Sequence, residues 1–79
     1  MEMHQVRYFL AAAKIKNFTK AATACGVSAP SLLRAIGLLE QEFGGALFTR
    51  ERGNIQLTEL GRLAHPHLQQ IHTEAEEAK

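Results

Sequence analysis

The sequence predicts a mainly α-helical domain that carries one short β-hairpin and ends in a long helix. Three observations support this fold class: apolar residues recur at spacings of three and four, helix-capping residues separate those segments, and one short stretch alternates apolar and polar residues. The 79 residues suffice for one small domain. The composition, with 46% hydrophobic and 22% charged residues, is typical of a folded chain.

The charges are distributed unevenly. Residues 1–57 carry seven Lys and Arg against four Glu, whereas residues 58–79 carry two against four. A basic part followed by an acidic helix suits nucleic acid at one end and a different role at the other. No apolar run reaches the length of a membrane span and no signal segment opens the chain, so we predict a cytoplasmic protein with no membrane partner. The single Cys25 excludes an internal disulfide and is expected to be a small buried hydrophobe.

A pair of helices is predicted first. A helix over residues 4–16 has an apolar face that consists of Val6, Phe9, Leu10 and Ala13. Asn17 can cap a second, short helix over residues 19–25 by accepting a backbone N–H. Gly26 ends that helix, because glycine readily adopts the left-handed conformation of a tight turn.

The third helix has start and stop signals at its ends. Ser28 is a good N-cap, and Pro30 lies in the first turn, where its missing N–H costs nothing. The inward face is formed by Leu32, Ile36 and Leu39. Residues 40–42 are expected to be largely solvated, and Gly44 and Gly45 stop the helix.

A hairpin follows, with strands over residues 47–49 and 55–57 and a tip over residues 50–54, in which Gly53 and Asn54 are turn residues.

Thr58 is expected to cap the last helix, in which one set of residues steps by four and three. These residues are Ala64, Leu68, Ile71, Ala75 and Ala78. Such spacing is typical of a coiled-coil seam and predicts a homodimer through this helix, with His67 at the border of the seam. Leu60 and Leu63 are expected to pack back onto the domain, and Pro66 to bend the helix.

Several blocks of residues carry a family resemblance. They include Phe18-Thr19-Lys20-Ala21-Ala22, the run from Val27 to Arg34, Leu39-Glu40, Leu47-Phe48-Thr49-Arg50, Leu57-Thr58 and Gly61. At these separations the chain resembles the amino-terminal domain of LysR-type transcriptional regulators. The resemblance implies a winged helix-turn-helix over residues 1–58, with the helix-turn-helix at about 18–37, and a linker helix for dimerisation over residues 59–79. It also implies a C-terminal effector-binding domain that this chain does not contain.

The function that this resemblance implies is sequence-specific binding of double-stranded DNA by a homodimer. The helix over residues 28–43 would lie in the major groove, and the wing over residues 50–54 would meet the backbone or the minor groove. A longer parent protein would form tetramers, and a small-molecule effector would act through the missing domain. No enzyme activity, cofactor or metal is expected, because the sequence shows no nucleophile with a nearby base and His65, His67 and His72 lack metal-site spacing.

The DNA-contacting residues implied by position are Thr19, Lys20, Ser28, Ala29, Pro30, Ser31, Leu33, Arg34, Arg50 and Arg52. Arg34 is the first choice, because its guanidinium can bind guanine at two atoms or clamp a phosphate. A surface ion pair is the alternative for Arg34, and a local pair is the alternative for Arg50. Thr19 and Lys20 would touch the DNA backbone, which positions the protein without reading the sequence.

Two residues of the reading helix depart from the family pattern. Family members commonly have glutamine at the position of Ala29 and serine or threonine at that of Leu33, and Ala35 is also small and apolar. Three interpretations of Leu33 are open: contact with thymine methyls together with DNA shape, docking of another protein, or burial in the core. Helix geometry favours exposure of Leu33. The alternative function is therefore a protein-interaction module that uses the apolar face around Leu33.

Overall fold

The computed structural model describes residues 1–51 and 54–79, so Arg52 and Gly53, two of the five residues predicted to form the tip of the wing, lie outside the described residues. The elements in chain order are α1 (Met3–Ile15), α2 (Phe18–Cys25), α3 (Ala29–Phe43), β1 (Phe48–Arg50), β2 (Ile55–Leu57) and α4 (Glu59–Glu77). This order confirms the predicted fold class of helices with one small hairpin. Among the described residues, no single helix is long and apolar enough to cross a membrane, and α2 and α3 meet that test only as a pair bent by 101°.

The predicted helix caps are confirmed. They could be predicted because each cap depends on neighbouring residues in the chain. The cap contacts are Asn17 Oδ1 accepting from Lys20 N at 2.8 Å, Ser28 Oγ from Ser31 N at 3.2 Å, and Thr58 Oγ1 from Gly61 N at 3.0 Å. Gly26 ends α2 with a φ of 72° and Gly44 ends α3 with a φ of 79°, both in the left-handed region.

The core is centred on α1, which contacts α2, α3 and α4. Val6 and Phe9 are fully buried as predicted, but Leu10 and Ala13 are only partly buried. The fully or nearly fully enclosed positions on α1 also include Gln5, Tyr8 and Ala12. A helix with neighbours on three sides buries a wider face than a simple periodic pattern indicates, which explains the difference.

The hairpin is antiparallel, with Phe48 opposite Leu57 and Arg50 opposite Ile55. Its first strand begins at Phe48 and not at the predicted Leu47. The backbone of Leu47 is committed elsewhere: its N–H donates to Glu40 Oε2 at 2.7 Å and its carbonyl accepts from Thr58 N at 3.0 Å. Leu47 therefore joins the hairpin to α3 and to the start of α4.

The first turns of α4 pack inside the domain. Ala64 is 4% exposed and Leu68 is 1% exposed in the single chain. They are part of the core cluster and leave no surface for a partner, so the expectation that they form an open seam was wrong. Leu63, expected to pack back onto the domain, is 65% exposed, whereas Leu60 does pack on the core. The hydrophobic stripe of α4 thus packs against the domain's own core. Ile71, farther along the stripe, is partly buried against the core cluster.

Candidate nucleic-acid interface

One side of α3 is fixed in the core and the other faces solvent. Leu32, Ile36 and Leu39 are fully buried. At about 100° per residue, Arg34 lies roughly opposite that buried line. Arg34 is exposed, as are Pro30 and Gln41 on the same outer face. The capped N-terminus of α3 and this outer face therefore form one accessible surface.

Arg34 is an exposed cation on that surface. No ion pair within 4.0 Å joins Arg34 to a carboxylate anywhere in residues 1–51 and 54–79, so the surface ion-pair alternative for Arg34 finds no support in the described part of the chain. A guanidinium on a helix face that is not paired with any described residue keeps its donors for a ligand.

The two serines at the start of α3 are partly committed to each other. Ser28 Oγ donates to Ser31 Oγ at 2.9 Å and accepts from Ser31 N at 3.2 Å. Ser28 is therefore occupied mainly in capping, while the Ser31 hydroxyl still has its own hydrogen to donate. Of the two serines, Ser31 is the more available polar group.

The apolar residues of α3 fall into different environments. Ala35 is buried, so it does not belong to the outer face with which the sequence pattern grouped it. Ala29 is half-buried and packs against the core. Leu33 is also half-buried, but among the described hydrophobic residues it is not one of those packed against the core cluster. The part of the Leu33 side chain that is exposed is therefore not used by the core.

Replacing Leu33 with asparagine is expected to change the free energy of unfolding by no more than about 1 kcal/mol, because Leu33 contributes little to the core. The same change at its fully buried neighbour Leu32 should cost several kcal/mol, roughly 3 or more, since it buries an unpaired amide. Urea unfolding of the two variants checks this. Equal losses in both would place Leu33 in the core.

The wing is held to α3 by a carboxylate that sequence reasoning missed. Glu40 was expected to be solvated, but its side chain is only 16% exposed. Its Oε2 accepts from Leu47 N at 2.7 Å, and its Oε1 lies 3.9 Å from Arg50 Nη2. The Arg50 guanidinium also lies over the ring of Phe18, 5.6 Å from its centroid. The only sequence signal for Glu40 was its place in the blocks that carry the resemblance.

These contacts favour the local-pair alternative for Arg50, although its side chain is still 59% exposed. An arginine whose charge is partly neutralised by Glu40 and whose side chain is held in place suits a contact with the DNA backbone better than deep insertion into a DNA groove. Arg52, the other wing arginine predicted to contact DNA, lies outside the described residues. Thr19 and Lys20 are exposed in the first turn of α2, where the sequence placed them.

Replacing Glu40 with alanine is expected to destabilise the domain by about 1–3 kcal/mol, because the Leu47 N–H, on a fully buried residue, loses its acceptor. Glu40→Gln keeps an oxygen acceptor and removes only the charge facing Arg50, so its loss should be smaller. Thermal unfolding of both variants tests this order. A larger loss in the glutamine variant would show that the charge, and not the acceptor, matters.

One groove lies away from α3. It has a volume of about 680 Å³ between α1, the end of α2 and α4, and its walls include Arg7, Lys14, His65 and His72. Cys25, predicted to be a small buried hydrophobe, lines it and is half-buried against the core. Among the described residues, no group of three or more His, Cys, Asp or Glu side chains is arranged to hold a metal ion.

Two helices joined at a glycine turn, the second with a free outer face, and a hairpin packed beside them define a winged helix-turn-helix domain. A family model described as "Bacterial regulatory helix-turn-helix protein, lysR family" matches residues 3–62. The chain belongs to this family of LysR-type regulators, as its sequence blocks predicted.

Similar proteins agree with this assignment. The probable cat1 operon transcriptional activator of Acinetobacter lwoffii is 46% identical over 63 residues, which cover 80% of this chain and 21% of that protein. The HTH-type transcriptional regulator BudR of Klebsiella aerogenes is 46% identical over 61 residues, covering 77% of this chain and 43% of that protein. The chain thus spans less than half the length of these two relatives, and both are named as regulators of transcription.

Solved structures show the same fold over nearly the whole chain. The CbnR DBD–DNA complex matches with a TM-score of 0.92 and 32% identity, covering 99% of this chain and 90% of that one. The BenM DBD complex with catB site 1 DNA matches with a TM-score of 0.91 and 29% identity, covering 99% and 87%. The fold of this chain is therefore that of LysR-type DNA-binding domains.

Proposed function

We propose that this chain binds double-stranded DNA as the DNA-binding domain of a LysR-type transcriptional regulator, with α3 in the major groove. The observation that carries the proposal is the free outer face of α3, on which Arg34 is exposed and has no ion pair among the described residues. Two proteins with the same fold, CbnR and BenM, have been solved with DNA. A helix fits the major groove, where base edges carry distinct donor and acceptor patterns.

The contacts divide into reading and positioning. Arg34 and Ser31 supply the polar groups at the front of α3 that could meet base edges or phosphates. Thr19 and Lys20 at the start of α2, and Arg50 beside Glu40, would contact the backbone and set the docking angle. Arg52 would add a further positive charge at the tip of the wing.

Dimerisation would occur through α4 and would place two reading helices on an inverted repeat, with half-sites about one helical turn apart. Because Ala64 and Leu68 are used by the core, the contact would fall on the rest of the helix. That part includes the exposed His67 and Ala78 and the half-buried Ile71 and Ala75. Effector binding and tetramer formation would belong to the remainder of a longer protein.

Salt dependence of binding tests the function. We expect the affinity of the 79-residue chain for duplex DNA to fall steeply between low and moderate salt, with a log–log slope of roughly −0.9 for each phosphate neutralised. A fluorescently labelled duplex titrated by anisotropy at several salt concentrations measures the slope. Weak binding that does not change with salt would overturn the proposal.

A protein-interaction module on the same scaffold is the second candidate, favoured by the apolar surface of Leu33 that the core leaves unused. It would bind a protein partner through that surface and show no steep salt response with DNA. The titration above therefore separates the two candidates.

A further inference from the structure

We propose that Leu33 is a base-reading residue that recognises the C5 methyl group of thymine, so that thymine at a defined position in each half-site sets the sequence preference together with Arg34. This inference rests on the proposed function, since it requires α3 to lie in the major groove.

The position of Leu33 on α3 gives the first argument. At about 100° per residue, Leu33 lies roughly 90° from the buried line of Leu32 and Ile36 and about 100° from the exposed Arg34. It is not among the described hydrophobic residues packed against the core cluster. Leu33 therefore stands on the flank of the outer face, next to Arg34, and the exposed part of its half-buried side chain is left for a ligand.

The polar neighbours give the second argument. Ser28 spends its hydroxyl on the cap and on Ser31, and Ala29 packs against the core. Apart from Ser31 and Arg34, the front of α3 is thus poor in free hydrogen-bonding groups, and an apolar side chain placed there cannot satisfy a base donor or acceptor. The thymine methyl is the apolar group that base pairs present in the major groove, and Leu33 matches it in chemistry.

The third argument is the room for close approach. Gly37 lies four residues after Leu33, on the same side of α3. A Cβ built at Gly37 would have no heavy atom within 4 Å, so no described part of the fold fills the space beside it. The absence of a side chain one turn beyond Leu33 allows the helix to approach the floor of the groove, which short-range contact with a methyl group requires.

The test compares thymine with deoxyuracil, which differs from it only in lacking the C5 methyl. Duplexes that bind the 79-residue chain are selected from a random pool, and each thymine of a selected site is then replaced singly by deoxyuracil. We expect wild-type affinity to fall about fourfold at one thymine per half-site, the loss for one buried methyl-sized group. In Leu33→Ala the ratio between thymine and deoxyuracil should fall to about one.

Leu38→Ala is the matched control. Leu38 is an exposed leucine on the same helix, about 140° around from Leu33, and its truncation should leave the fourfold ratio intact. Equal affinity of the wild type for thymine and deoxyuracil at every position overturns the inference, as does a ratio that persists in Leu33→Ala. The wild-type comparison needs no variant, so it decides the matter even if Leu33→Ala folds poorly. Failure to select any duplex would instead contradict the proposed function.

Discussion

Replacing Gly61 with alanine is expected to destabilise the domain by about 2–4 kcal/mol. Gly61 lies in the first turn of α4, where that helix meets the segment before the hairpin. A Cβ at this position would clash with the carbonyl oxygen of Leu47 and would lie 2.9 Å from Leu57 Cδ2.

The Leu47 carbonyl cannot move aside easily, because it accepts a hydrogen bond from Thr58 N at 3.0 Å. Thr58 is fixed in turn, since its Oγ1 donates to the Ala46 carbonyl at 2.6 Å and accepts from Gly61 N. An added methyl would therefore have to displace either the start of α4 or the segment at Leu47 before the hairpin. For a domain of this size, a loss of this magnitude would be a large share of the total stability.

Gly37→Ala is the control for this prediction. Gly37 is a helical glycine with no neighbouring heavy atom within 4 Å of a built Cβ. Alanine there should raise the free energy of unfolding by about 0.5–1 kcal/mol, because alanine favours the helix. Urea unfolding of both variants gives the comparison. A Gly61 variant as stable as the wild type would show that α4 is not packed on Leu47 in this way.

Replacing Arg34 with alanine is expected to weaken DNA binding by about 10- to 100-fold, the loss that follows when one two-point arginine contact worth about 1–3 kcal/mol is removed. The stability of the fold should not change by more than about 0.5 kcal/mol, because Arg34 is exposed and has no ion pair with any described residue. Anisotropy titration on a selected duplex measures the affinity, and thermal unfolding measures the stability.

Arg7→Ala controls for the loss of one positive charge. Arg7 is exposed on α1 and lines the groove between α1 and α4, not the outer face of α3. Its truncation should reduce DNA affinity far less than that of Arg34. If both variants lose the same affinity, Arg34 acts through general charge and not through a defined contact. Arg34→Lys should recover only part of the binding, because lysine lacks the planar fork.

Local chemistry explains why so much of the helix-turn-helix could be predicted. Asn17, Ser28 and Thr58 cap their helices through backbone N–H groups three residues away, and Gly26 and Gly44 end helices through their own φ angles. Such signals depend on neighbouring residues alone. Arg34 was selected through the family resemblance, and its outer position agrees with helix periodicity, because it lies opposite the line of Leu32, Ile36 and Leu39.

Contacts between distant segments could not be read in the same way. Glu40 belongs to a polar run and looked solvated, yet it receives the Leu47 N–H and faces Arg50. Leu47 was predicted to be a strand residue, but its backbone hydrogen-bonds to Glu40 and Thr58. A residue's partners across seven or more positions depend on how the elements pack, and a one-dimensional pattern does not contain that information.

The sequence by itself determined the order of the elements, their caps and the face that α3 presents, since these follow from propensity and periodicity. Only the tertiary structure decided how the stripe on α4 is used. Ala64 and Leu68 have the spacing of a dimer seam, but they are buried against the domain's own core. The physical reason is that periodicity identifies an apolar face without identifying what covers it, and here α1 and the rest of the core cover it before a second copy could.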